Sequence, residues 1–201
     1  MNVYDLMYSN DALNIYIYLF SNRKLNEEKE TKIKDIIYVL YMYSFYHEKT
    51  QSIQKFFKLF QEIHYMEDID NLLSNDTYLC QFYKLFKIHE DILQKNIKNE
   101  YQLCLDELKQ LISKTNINDV LEFLKIKKEV DEICEKICNE NISQEELEIL
   151  ANNFEKRLEY LEKYISSSDI EAYRTYFEVK NKQNMNTVVN IGIELFEFQK
   201  N

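Results

Sequence analysis

The chain has 201 residues, 45% of them hydrophobic, a net charge of −10, no proline and one glycine, Gly192. That is enough apolar material for a core, which excludes disorder of the whole chain. Folds whose turns and phosphate loops need glycine are excluded, and the acidity, with no basic stripe, excludes binding along a nucleic-acid backbone.

An all-α chain remains, because helices can begin on Asn, Asp and Ser without glycine. The fold expected is a multi-helix bundle of six to nine helices with an antiparallel helical hairpin in its C-terminal half. VYDLMY, near the N-terminus, predicts a short helix of its own. Asn10 and Asp11 open a helix through IYIYLF to about Asn22. Asn26, followed by Glu27 and Glu28, starts a second helix that runs to about Lys49, with its acidic first turn at the positive end of the helix dipole. This helix carries KDIIYVLYMYSFYHEK, whose apolar run from Ile36 to Phe45 is shorter than the about 20 residues a bilayer requires. It is apolar on every face, which predicts a central buried helix.

Thr50 is read as the cap of a third helix. Ile53, Phe56, Phe57, Phe60 and Ile63 form its apolar stripe, with Gln54, Lys55, Lys58, Gln61 and Glu62 on other faces. NLLSND reads as a turn. Asp76 begins a helix through Phe82 to Ile92, and a further helix carries Tyr101, Cys104, Leu105, Leu108, Leu111 and Ile112. In TNIND, Asn118 or Asp119 is the expected cap of the helix over 119–139. Ser143 with Glu146 forms a capping box before a helix with Leu147, Leu150, Phe154, Leu158, Leu161 and Ile165. These two helices predict the antiparallel hairpin. Ser168 with Glu171 reads as a second capping box. The final TVVNIGIELFEF is both strand-like and helix-like in its spacing; helix is favoured, because a strand has no partner in such a chain.

The two halves differ. Residues 1–100 carry 12 basic and 15 acidic side chains, and residues 101–201 carry 13 and 20. Aromatic residues concentrate in the first half. The expected division is an aromatic-rich helical core over 1–116 and a charged hairpin plus C-terminal helix over 117–201. Lysines outnumber arginines 22 to 3, and Asn, Ile and Tyr are abundant, which points to an AT-rich genome.

Familiar catalytic patterns are missing from the sequence. There is no phosphate-binding loop, nucleophile elbow or H-E-x-x-H, and the residues three before His47, His64 and His89 are Ser44, Gln61 and Phe86 rather than the Glu of a di-iron bundle. Cys80, Cys104, Cys134 and Cys138 are expected as buried or half-buried free thiols. MNVYDLMYSND lacks the basic start and apolar run of a secretory signal. The expected compartment is therefore the cytoplasm of a bacterium, or of a host cell for a viral protein.

No cofactor is implied. HYMED sets His64, Glu67 and Asp68 within one turn, a weak metal or general-base alternative. Tyrosine offers large contact area at small rotamer cost, which makes Tyr16, Tyr18, Tyr43 and Tyr46 candidate partner contacts. Glu132, Glu135, Glu155 and Glu159 supply an acidic face on the hairpin. The function expected is a non-enzymatic protein-interaction module: an inhibitor, adaptor or small accessory subunit of a larger complex. The coding bias extends this to a phage or mobile-element protein acting in host defence or anti-defence. A protein partner is expected, with no nucleic-acid backbone and no membrane. Two alternatives stand beside it: a helical enzyme with an unfamiliar, metal-dependent site, and an acidic mimic of nucleic acid.

Overall fold

A computed structural model describes residues 10–21, 23–48, 50–75, 98–139 and 142–198, and the side chains of all of these except 10, 98, 139 and 184–198. The described residues form eight helices and no strand: α1 (Asn10–Phe20), α2 (Glu27–His47), α3 (Ser52–Glu62), α4 (Met66–Asn75), α5 (Lys98–Ser113), α6 (Ile117–Asn139), α7 (Gln144–Leu161) and α8 (Ser167–Phe198). The chain is an all-α helical protein. It divides into two compact units, Met1–Glu122 and Phe123–Asn201. The segments read as a short helix at VYDLMY and as a helix from Asp76 to Ile92 lie outside the described residues, as do Cys80 and His89.

In the first unit α2 is the centre. It begins where Asn26 accepts a 2.8 Å hydrogen bond from the Lys29 N–H, with Glu27, Glu28 and Glu30 in the first turn. Ile33, Ile36, Ile37, Val39, Leu40, Tyr41 and Met42 are all buried, so burial runs around the helix rather than along one stripe. α1, α3 and α5 lie against it, and α5 also meets α3 and α4. Phe56 of α3 meets the rings of Tyr41, Phe57 and Phe60 edge-on, at 6.3, 5.8 and 5.1 Å. Burying each such ring contributes about 2–3 kcal/mol. The hydroxyls that enter this core have partners: Tyr41 donates to Asp11 at 2.8 Å and lies 3.4 Å from Ser52, and Tyr101 donates to Asp35 at 2.8 Å.

The second unit holds most of α6 with α7 and α8. Phe123, Val130 and Ile137 of α6 are buried, as are Phe154, Leu158 and Leu161 of α7. Phe154 stacks on Phe177 of α8 at 4.6 Å, and Phe123 meets Tyr164 at 5.1 Å. Arg157 of α7 donates to Glu129 of α6 at 2.6 Å. Lys127 donates to both oxygens of Asp131 at 2.9 Å, and Tyr173 of α8 donates to the same carboxylate at 3.0 Å. The backbone of TVVNIGIELFEF is helical through Phe198.

Several boundaries differ from the sequence reading. α3 is preceded by Gln51, which makes no side-chain cap, so Thr50 does not cap it. NLLSN, read as part of a turn, is instead the end of α4, and α3 stops before it at Glu62. Asn116, not Asn118 or Asp119, caps α6 by accepting from the Asn118 N–H at 3.0 Å. Ser143 and Glu146 make both bonds of a capping box, as read. The second box is displaced: Ser166 accepts from the Asp169 N–H at 3.2 Å, and α8 begins at Ser167. The run of three serines before Asp169 offers the same spacing twice, and the earlier register wins.

Candidate functional site

The corner between α3 and α4 is built from two segments far apart in sequence. α3 ends on Ile63, leaving carbonyls without intrahelical partners. Lys109 of α5 donates its ammonium to the Ile63 carbonyl, a favourable place for a cation at a helix C-terminus. The same ammonium lies 3.1 Å from Nδ1 of His64. An ammonium only donates, so this contact leaves Nδ1 as the acceptor and puts the imidazole proton on Nε2.

The start of α4 is capped from both sides. The Asp68 carboxylate accepts from the backbone N–H groups of His64 and Tyr65, at 2.7 and 2.8 Å. These bonds, Tyr65 first and His64 second, hold the Asp68 carboxyl below the usual carboxylate range. Gln102 of α5 accepts from the Met66 N–H at 2.9 Å and donates to the His64 carbonyl at 3.2 Å. Asp68 is thus a helix cap. The partner on His64 Nδ1 is an ammonium, the opposite of the carboxylate that orients a general-base histidine. Among the described residues no three His, Cys, Asp or Glu side chains converge to hold a metal ion, and His64, Glu67 and Asp68 form no such group.

Beside this corner a groove of about 760 Å³ runs between α3 and α5 to the first residue of α6. Its position follows from helical spacing. Gln54, Phe57, Lys58 and Gln61 recur at three- and four-residue intervals on α3, and Lys109, Ile112 and Ser113 do so on α5. Phe57, Phe60 and Ile112 give an apolar floor and are themselves largely buried. Lys58, Lys109 and His64 are cationic or hydrogen-donating, and among the described residues no Asp or Glu lines the groove. In a chain with 35 acidic side chains, that local sign reversal sets the groove apart. A second hollow of about 470 Å³ lies across the same corner, lined partly by Tyr43, His47, Glu62 and Asp68.

The residues singled out from the sequence do not share one surface feature. Tyr16 is half-buried, stacks on Phe20 at 5.2 Å and carries the Lys34 ammonium 4.8 Å above its ring. Burial, then Glu30, pushes its hydroxyl up to about 12. Tyr18 is also half-buried on α1. Tyr43 is half-buried with its ring 4.4 Å from His47. Tyr46, edge-on to His47 at 5.3 Å, is the exposed member of the four. Glu132 pairs with Lys128 at 3.4 Å and Glu155 with Arg174 at 3.3 Å, while Glu135 and Glu159 are exposed. Cys104 is buried and Cys134 half-buried, where burial pushes the thiol up to about 11. Cys138, expected buried or half-buried, is exposed, with its sulfur 2.6 Å from the Tyr176 hydroxyl.

Lys58, Gln102 and Lys109 were not legible as site residues. Lys58 read as one of the polar residues off the apolar stripe of α3, and the contacts that bring Gln102 and Lys109 to this corner span 36 to 46 residues. The fold and the groove define an all-α helical protein with a cation-lined, apolar-floored trough in its first unit. No family model, no curated protein and no solved structure matches the chain. No helix among the described residues is long and apolar enough to cross a membrane.

Proposed function

We propose that the chain is a non-enzymatic interaction module, an inhibitor, adaptor or accessory subunit, that docks a protein partner in the α3–α5 groove. The observation that carries this reading is the groove's composition: an apolar floor of Phe57, Phe60 and Ile112 under lysine, histidine and amide side chains, with no acidic lining residue among the described residues. An apolar centre with a polar rim is the usual anatomy of a protein interface. The acidic-mimic reading has less support, because Glu132 and Glu155 already have cationic partners within the unit.

Photo-crosslinking tests the docking reading. A benzophenone side chain at Gln61, an exposed groove residue, is compared with one at Glu148, exposed on α7. In cells that carry the gene, the Gln61 probe gives one discrete adduct whose protein binds the purified chain at equimolar ratio, and the Glu148 probe does not. Probes at Gln54, Lys58 and Gln61 that all return no adduct, or the same adducts as Glu148, overturn it.

A further inference from the structure

The groove's own chemistry narrows its occupant, and this step rests on the docking reading above. We infer that the groove seats an acidic, apolar-anchored peptide segment of the partner, with a carboxylate at Lys109 and His64 and a neighbouring large apolar side chain over Phe57, Phe60 and Ile112.

Charge complementarity is the first ground. The chain as a whole carries −10, yet among the described residues this trough is lined by Lys58, Lys109 and His64 and by no carboxylate, the nearest being Glu62 beside Lys58 and Asp68 near Lys109 and His64. An acidic segment is repelled by most of the surface and attracted here, which gives orientation as well as affinity. Unused donors are the second ground. Lys109 has three N–H groups and directs them at two acceptors, the Ile63 carbonyl and His64 Nδ1. That contact also puts the His64 proton on Nε2, so both groups offer donors to an incoming anion. Lys58, with its side chain 64% exposed, pairs among the described residues with Glu62 at 3.7 Å, a contact loose enough to let it swing to a ligand.

The amides favour a peptide over another anion. Gln54 and Gln61 stand seven residues apart on one face of α3, about 10 Å along the helix. That span matches about three residues of extended chain, and each side-chain amide can both donate to and accept from a backbone. A phosphate dianion is better served by a planar guanidinium fork, and among the described residues no arginine lines the groove.

The test pans a phage-displayed library of random dodecapeptides on the full-length chain and synthesises the enriched sequences. Recovered peptides carry Asp or Glu within two or three positions of Phe, Leu or Ile. Replacing those carboxylates by their amides, with the protein untouched, raises Kd about tenfold. Lys58→Glu, a change on an exposed side chain, raises it about fivefold, and Lys109→Gln about tenfold. The loss shrinks as salt rises from about 50 mM to about 0.5 M. Recovered peptides with no acidic excess, an amide-substituted peptide that binds as well as its parent, or displacement by millimolar inorganic phosphate each overturn the inference. Failure to enrich any peptide overturns it too. If the Gln61 crosslink still forms in that case, the docking reading stands and its acidic occupant is lost; if both fail, both readings are lost.

Discussion

In the first unit one helix, α2, is buried on nearly every side, and three neighbours close over it. In the second unit α6 and α7 each bury one stripe, and α8 buries Ile170 and Phe177 among its described side chains. Both units carry ion pairs, but they stand in different proportion to the core beneath them. Glu107 pairs with Arg23 at 3.1 Å and with Lys29 at 2.5 Å over a wide apolar interior. Lys127, Asp131 and Tyr173 form their cluster over a seam a few residues wide. A broad core makes surface charge dispensable, whereas a narrow one leaves helix attachment to fewer contacts, each of larger consequence.

The sharpest way to break this contrast is to hollow each core in turn. Phe56 and Phe154 are both almost fully buried, and Phe→Ala at such sites costs about 3–5 kcal/mol. Phe56→Ala leaves many other buried contacts in the first unit. Phe154→Ala also strips the ring under Phe177 and should detach α8. Urea unfolding followed by residue-resolved NMR reads both. The expected result is that Phe154→Ala loosens α6–α8 at lower urea while probes in α2 and α3 hold. If α2 and α3 unfold in step with α8, the two units form one cooperative block and the contrast has no thermodynamic meaning.

Next in size is the Lys127 cluster. The Lys127 side chain is 13% exposed, and Lys127→Met should cost about 1–2 kcal/mol, less than a fully buried pair because Asp131 retains some solvent. Burial alone would push the Lys127 ammonium down; hydrogen bonds to Tyr173 and Asp131 outweigh it, so the net shift is upward. A raised lysine adds stability that is complete below its unfolded value of about 10.5 and is lost as pH climbs through the raised folded value. The second unit should therefore lose stability in strong alkali more steeply in the wild type than in Lys127→Met. Parallel alkaline curves for the two would remove this cluster from the account.

A smaller effect, confined to the first unit, belongs to the caps of α4. Asp68→Asn and Gln102→Ala should each cost about 1 kcal/mol. The depressed Asp68 carboxyl adds stability above its unfolded value of about 3.9 and loses it as pH falls through the lower folded value. The His64 and Tyr65 amide shifts, which report directly on this carboxylate, should thus move in acid while those of the carboxylate-free stretch of α2 from Ile36 to Tyr46 stay, and Asp68→Asn should remove that movement. Shifts that survive the substitution would assign the acid response elsewhere.

These caps also show what the sequence could and could not disclose. The α7 capping box was legible because Ser143 and Glu146 lie within one turn and satisfy each other. The start of α4 was not, because Tyr65 offers no capping side chain and the missing acceptor comes from Gln102 in another helix. Periodicity read α2 as central, since an all-round apolar helix has one place to go. The groove was only partly legible: Gln54, Lys58 and Gln61 stood apart from the apolar stripe of α3, but so did Lys55 and Glu62, and no local pattern says that Lys109 will face the first three. His64, Glu67 and Asp68 drew attention as a metal or general-base group for their chemistry, and folding gives His64 and Asp68 a place in the junction that ends one helix and starts the next.

The smallest expected effects are the exposed clips of the second unit, and they test the contrast from its weak side. Arg157 joins Glu129 at 2.6 Å and the Asn153 carbonyl at 3.0 Å, with 29% of its side chain exposed. Arg157→Ala should cost about 0.5–1 kcal/mol, part of it from lost packing of the stem over α6. Arg174 reaches Glu155 at 3.3 Å and Glu162 at 2.9 Å from a more solvated position. Its removal should shift the unfolding midpoint less than that of Arg157, and the shift should vanish at about 1 M salt, where the Debye length falls to about 3 Å. The Arg157 loss should persist in part, because stem burial is not screened. If Arg174→Ala proves the more damaging, and does so in high salt, α8 is held by its fork on two carboxylates rather than by Phe177 and Ile170. The second unit would then be a charged assembly with an incidental seam, not a thin core with charged edges.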